Sequence, residues 1–258
     1  MKDNRYLPHL SWTQIRDLEK THGVVVLPIG AIEQHGAHLP VATDALLAER
    51  MTELAFEKLS LEARVWRLPV QSYGKSNEHL GFAGTISLRA ETLMMVVRDI
   101  ASSLAASGFR RLCFVNAHGG NSALLAMMAR EIRVETSLMV FNTFTNAGVA
   151  DPIEIPPLET QYGIHANDWE TSLMLHLEPD LVQMDKAICF YPTLPSGKVG
   201  LTGGAAVAGW LTRDWSPTGV FGDATLATPE RGAVRCGAAT TALAAVLEQI
   251  SVFEVAYD

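Results

Sequence analysis

Residues 24–44 read VVVLPIGAIEQHGAHLPVATD, and the rest of the chain is best understood from this stretch. The unbroken apolar run 24–29 has the look of a strand buried on both faces, the kind found inside parallel sheets. Its exit carries Glu33, His35, His38 and Asp44 in one short irregular segment. Two carboxylates and two imidazoles are costly to hold together unless a cation joins them. A divalent metal accepts all four in their deprotonated, ligating forms. The segment therefore predicts a metal site, with His38 open between ligating and hydrogen-bonding a ligand's carboxylate.

Outward from that turn, strand-like and helix-like segments alternate. After Thr43, a plausible N-cap, Leu46, Leu47, Met51, Leu54, Ala55 and Leu59 recur at helical spacing. Further strands are expected over 64–70, 111–116 and 138–144, with helices opening near Ser87 and over 122–135, the latter capped by Asn121. Strand followed by helix, repeated, predicts an α/β fold: a three-layer sandwich with a mainly parallel central sheet, in one domain over residues 1–258. Residues 145–163 read as a long Pro-rich loop covering a site. A short helix begins at Asn167, and Thr228-Pro229 opens a long closing helix. The glycine-rich stretch 196–209 lacks the first glycine of a phosphate-binding loop, so it reads as a mobile connection.

In parallel sheets ligands gather beyond the carboxyl ends of the strands. Glu33 and His35 follow the first strand, Glu78 and His79 the second, and His118 the third. Three consecutive exits thus bring metal-capable or proton-transfer residues to one edge. His118 sits between a strand and a helix in Asn116-Ala117-His118-Gly119-Gly120-Asn121, where glycines let the backbone approach an ion or substrate. In His165-Ala166-Asn167-Asp168-Trp169-Glu170, Glu170 falls at the third helical position and could merely complete a capping box with Asn167. The preceding histidine favours a metal-ligand or acid/base role for it. His9, His22 and His176 read as bystanders, and Met94, Met95, Met127 and Met128 as core filler.

Composition narrows the functions. Of 258 residues, 48% are hydrophobic and 19% charged, which excludes a disordered chain. The net charge of −8 disfavours nucleic acid or an anionic membrane as partner. No apolar run is long enough to span a bilayer, and the opening MKDNRYLPHLSW lacks a signal-peptide core. Three widely spaced cysteines, Cys113, Cys189 and Cys236, suit a reducing cytoplasm.

Taken together, GAIEQHGAHLPVATD, YGKSNEHLGFAGTISL, NAHGGN, HANDWETS and PTGVFGDATLATPERG resemble, in order, the motifs of the creatininase (creatinine amidohydrolase) family. The resemblance implies an α/β sandwich and a homo-oligomer, often a hexamer. It also implies two divalent ions per subunit: zinc, manganese or iron. By that resemblance Glu33, His35, Asp44 and His118 are ligands, Asp44 bridges both ions, His165 transfers the proton and Glu170 completes the site. Creatinine-hydrolysing members carry a tyrosine and a ligating glutamate where this chain has Gly119 and Gly120, and tryptophans in the loop matching 145–163, which has none here. Glu170 is then expected to supply the missing carboxylate, and creatinine is not the expected substrate.

The expected function is hydrolysis of a cyclic amide, formamide or other non-peptide C–N bond in a small molecule by metal-activated water. Ser76, Glu78, His79 and Gly119 are expected to contact the substrate, with His165 and Glu170 catalytic. Two alternatives stay open: hydrolytic ring opening of a cyclic polyol ketone, and a non-catalytic structural metal site. The second fits poorly, because structural zinc sites are usually cysteine-rich and this cluster uses no cysteine.

Overall fold

The structure is a computed structural model that describes residues 5–193, 199–201 and 205–255. Parts of two sequence readings, residues 1–4 of the N-terminal lead-in and 196–198 and 202–204 of the glycine-rich stretch, lie outside the described residues. The central sheet has four parallel strands, β1 (Val24–Ile29), β2 (Val65–Arg67), β3 (Arg111–Asn116) and β4 (Met139–Phe144), in the spatial order β2-β1-β3-β4. The helices are α1 (Trp12–Arg16), α2 (Thr43–Glu57), α3 (Ala90–Ala106), α4 (Ser122–Thr136), α5 (Pro157–Tyr162), α6 (Asp168–Leu177), α7 (Thr212–Trp215) and α8 (Pro229–Val252).

Alternate residues of the strands feed two separate cores, which makes the three layers. Val25, Leu27 and Ile29 of β1, with Leu112 and Phe114 of β3, pack under α3 and α4 against Leu93, Val97, Leu125 and Met128. Val24, Val26, Cys113 and Val115 point the other way, onto Ala55 and Phe56 of α2 and Leu243 and Leu247 of α8. A strand covered on both sides needs no polar face, which explains the continuous apolar run of 24–29. β1 has β2 on one side and β3 on the other, so the chain reverses direction across the sheet at β1. That switch point opens a crevice beyond the strand ends.

Several expectations shift in detail. The second strand is only three residues long, although Gln71 still bridges to Ile29 beyond it. Thr43 is the first helical residue rather than the cap. Asn121 makes no side-chain capping bond; its amide donates to Gly30 O and its carbonyl oxygen accepts from Lys75 N, pinning two site loops together. The loop 145–163 contains α5, begun by the Pro156-Pro157 pair. Met128 is fully buried, but Met95 and Met127 are half-exposed rather than core filler.

Candidate metal centre

Beyond the ends of β1, β2 and β3, five loops and helix starts converge. Gly30 turns β1 outward where α2 crosses it: a β-carbon there would stand 2.5 Å from the Ala45 backbone nitrogen. Only glycine lets the first turn of α2, and so Asp44, come this close. Glu33, His35 and Asp44 are buried, and His118 arrives from the end of β3.

The side chains meet in two halves around Asp44. His118 Nδ1 lies 3.1 Å from Asp44 Oδ2 and 3.2 Å from Glu33 Oε2. His35 Nε2 lies 3.2 Å from Asp44 Oδ1 and 3.9 Å from Glu170 Oε2. Each imidazole is oriented from behind by the main chain: His118 Nε2 is 3.0 Å from Lys75 O, and His35 Nδ1 is 3.1 Å from Glu33 O. Since a carbonyl only accepts, both rings direct their other nitrogen, bare of hydrogen when neutral, into the cluster.

The donor set fits divalent metal. An ion with ligands at about 2.0–2.1 Å in tetrahedral array separates its donors by about 3.4 Å, close to the spacings here. Glu33 Oε1 and Asp44 Oδ2 are buried without a hydrogen-bond partner, which folded proteins avoid unless something else satisfies the oxygen. The protonation pattern points the same way. Burial alone would drive His35 toward neutrality, yet Asp44, Glu170 and Glu33 overcome it and push its pKa up to about 10. Burial, with Asp44 and Glu33, pushes Glu170 up to about 7. Such a site holds more negative charge than its own groups balance, and cations relieve it. Groups able to hold an ion are Glu33, His35 and Asp44; His35, His165 and Glu170; Glu33, Glu78 and His118; and Glu33, His79 and His165.

Glu170 combines both readings considered for it. Asn167 Oδ1 caps α6 by accepting from Glu170 N, so the capping reading holds for the backbone. The Glu170 carboxylate accepts from Ala166 N at 2.6 Å while facing His35. Ala166 adopts a left-handed φ of 52°, unusual for a residue with a β-carbon. Phe221 pairs with His165 as an isolated bridge, which explains why the PTGVFGD motif belongs to the site.

The remaining expected residues separate. His79 and Glu78 line the cavity above the cluster, and Gly119 lines its rim. Ser76 has a different neighbour from the expected substrate: it is fully buried and its hydroxyl donates to Glu33 Oε2. His38 stands outside the cluster, with Nε2 2.9 Å from Thr171 Oγ1, so neither role considered for it is seen. Glu78 Oε1 lies 3.4 Å from His118 Nε2 and backs that ring. A β-carbon at Gly120 would stand 2.1 Å from Glu78 Oε1, so the glycine makes room for this carboxylate. Gln34, Lys75 and Trp210 escaped the sequence reading. Gln34 had a signal, lying between Glu33 and His35, whereas Trp210 reaches the site only through the fold.

One cavity opens onto the cluster, and a second adjoins it and touches the cluster at Glu170. The first, of about 610 Å³, is walled by Lys75, His79, Ile164, Leu201 and Trp210. The other, of about 560 Å³, runs under Phe144, Thr145, Asp151 and Trp169. They share Ala117, Gly119, Ile164 and Glu170 as a common wall. A side chain at Gly119 would meet nothing within 4 Å, so its absence leaves that junction open.

Comparison with known proteins agrees with this geometry. The creatinine amidohydrolase (creatininase) family matches residues 8–247. The mycofactocin precursor peptide peptidase of Mycobacterium ulcerans is 34% identical over 236 residues, 88% of this chain and 85% of the relative. The creatinine amidohydrolase of Pseudomonas putida is 34% identical over 182 residues, 64% and 68% of the two chains. The 3-dehydro-scyllo-inosose hydrolase of Thermotoga maritima is 25% identical over 246 residues, 88% and 77%. A manganese creatininase structure superposes with a TM-score of 0.73 at 27% identity, covering 95% of this chain and 98% of its own. Among the described residues, no helix is long and apolar enough to cross a membrane.

Proposed function

The chain belongs to the creatininase family and is a metal-dependent amidohydrolase of that family, and from that premise we propose that it hydrolyses an amide C–N bond in an extended, peptide-type substrate at a centre of two divalent ions. Glu33, Asp44 and His118 would hold one ion, and His35, Asp44 and Glu170 the other, with one Asp44 oxygen toward each half. Zinc, manganese and iron all suit this nitrogen and oxygen donor set. When bound, such ions supply Lewis acidity, which activates water and polarises the scissile carbonyl.

The chain's own groups do the rest. Ser76 fixes the Glu33 carboxylate by donating to it, and Lys75 O and Glu78 hold the His118 ring in place. His165 faces the cavity with Nδ1 3.6 Å from Glu33 Oε1, placed to carry a proton at that nitrogen to the departing amine. Burial, followed by His35 and His79, holds its pKa well below the ordinary imidazole range, so the free ring is neutral. Glu78, His79 and Gly119 border the space where substrate would lie.

The observation that carries the substrate reading is a second cavity adjoining the one over the cluster, the two sharing Glu170 and Gly119. A compact ring needs only one. A chain cleaved in its middle needs room on both sides of the bond. The relatives named for a precursor peptide are consistent with this, and they turn the reading away from the small non-peptide substrate expected earlier. A panel of short peptides, creatinine, N-formyl amines and a cyclic polyol ketone, assayed with the zinc- and manganese-loaded protein, tests it. Peptides should give the highest kcat/KM, with new amino groups released. A tenfold preference for creatinine, a formamide or the ketone would overturn it.

A further inference from the structure

Gln34 lies in the sequence between Glu33 and His35, two proposed metal ligands, yet its side chain turns away from both and the residue is 5% exposed. Its amide orientation is unambiguous. Gly36 N–H donates to Oε1 at 2.9 Å, and Nε2 donates to Gly219 O at 3.0 Å. One hydrogen on Nε2 remains. Two imidazole nitrogens stand near it: His79 Nδ1 at 2.8 Å and His165 Nε2 at 3.0 Å.

The choice between them follows from counting donors and acceptors. His165 Nε2 is also 2.7 Å from Gln34 O, which can only accept, so this nitrogen carries its own hydrogen and donates it. It cannot then accept from the amide. The remaining amide hydrogen goes to His79 Nδ1. Thr212 Oγ1, 3.0 Å from the same nitrogen, can join only as a second donor. Both rings are thereby assigned. Neutral His79 carries its hydrogen on Nε2, 3.4 Å from Glu33 Oε1. Neutral His165 keeps Nδ1 bare, 3.6 Å from the same oxygen.

We infer that Gln34 is the positioning residue that sets both tautomers, through its main-chain carbonyl at His165 and its side-chain amide at His79. The inference rests on the proposed role of His165 but adds what makes that role possible. A neutral imidazole takes up a proton only at a bare nitrogen, and Gln34 O keeps that nitrogen turned toward the cluster. The amide has a second effect. It places a hydrogen where the Glu33, His79 and His165 group would need a lone pair for an ion. That group, though rich in donors, is therefore a hydrogen-bonded neighbour of the metal centre and not a third metal site.

The test compares wild type with Gln34→Glu, which keeps the shape and the acceptor for Gly36 but turns the donor facing His79 Nδ1 and Gly219 O into an acceptor. Zinc-loaded protein with ¹⁵N-labelled histidine is examined by long-range ¹H–¹⁵N correlation. His79 and His165 signals are identified by their loss in His79→Gln and His165→Asn. Wild type should show both rings protonated on Nε2. Gln34→Glu should move the His79 hydrogen to Nδ1 and leave His165 unchanged, because the main-chain carbonyl remains. Elemental analysis should find the same zinc content in both proteins. If turnover is measurable, kcat should fall about 10–100-fold with KM little altered. Wild-type His79 protonated on Nδ1, wild-type His165 bare at Nε2, or a His79 tautomer insensitive to the substitution would each overturn the inference. Should Gln34→Glu not fold, Gln34→Met supplies the comparison: without the amide donor, His79 is free to donate from Nδ1 to Thr212. The tautomer readout needs no substrate, so it separates failure of this inference from failure of the proposed reaction.

Discussion

Two buried clusters of charge flank the start of α6, and they are built on opposite plans. Asp168 accepts from Arg231 and Arg235, and Arg235 also pairs with Asp151 at 2.6 Å and donates to Ser172 Oγ. Every acidic group there has an arginine against it. Two residues along the chain, Glu170 enters the other cluster, where Glu33 and Asp44 are wholly buried and, among the described residues, no lysine or arginine pairs with them. The first cluster is complete as it stands and ties the loop bearing Asp151 to α6 and α8. The second keeps orphaned oxygens. Buried charge that is already matched is architecture; buried charge left unmatched is a place for something to bind.

The contrast can be broken from either side. The largest effect is expected from Asp44→Asn, which removes the carboxylate shared by both halves. Turnover should fall by at least about 10³-fold, and elemental analysis should show both ions depleted while circular dichroism stays native. Full metal content in that variant would mean that Asp44 does not hold them. Next comes Arg235→Met, which strips Asp151 of its arginine and leaves Asp168 with Arg231 alone. Stability in urea should drop by about 3–5 kcal/mol, with metal content per folded chain retained. A loss under 1 kcal/mol would show that Arg235 contributes little beyond packing. The smallest effect sharpens the comparison at the surface. Arg98 and Glu135 form the same type of pair at 2.9 Å but in contact with solvent, so Arg98→Ala should change stability by less than about 1 kcal/mol.

Much of this could be read from the sequence because strand exits in a parallel sheet share an edge. Once 24–29 and 111–116 read as buried strands, Glu33, His35 and His118 had to come together, and the structure places them around Asp44. Other features were not legible, each for a physical reason. Ser76 occupies a loop whose polar residues look alike in sequence, and only the fold shows that its hydroxyl meets Glu33. Asn121 has the composition of a cap, but tertiary partners at Gly30 and Lys75 compete for its amide and win. Residues 157–162 form a helix too short to show periodicity. Met95 and Met127 fit helical patterns as well as Met128 does, and exposure depends on which face the sheet covers. The role of Gln34 needs partners 45, 131 and 185 positions away.

The missing side chain at Gly120 has a consequence for how such enzymes diverge. Where creatinine-hydrolysing members place a glutamate, this chain has bare backbone, and Glu78 reaches across into the space a β-carbon would take. The two carboxylates therefore compete for one space. A side chain at position 120 would also stand 2.4 Å from His118 Nε2 and 2.7 Å from Lys75 O, so the other arrangement requires the backbone around Lys75 to give way, and not only Glu78 to swing aside. Position 120 and the segment 75–78 are thus linked, and the link is made by one absent β-carbon.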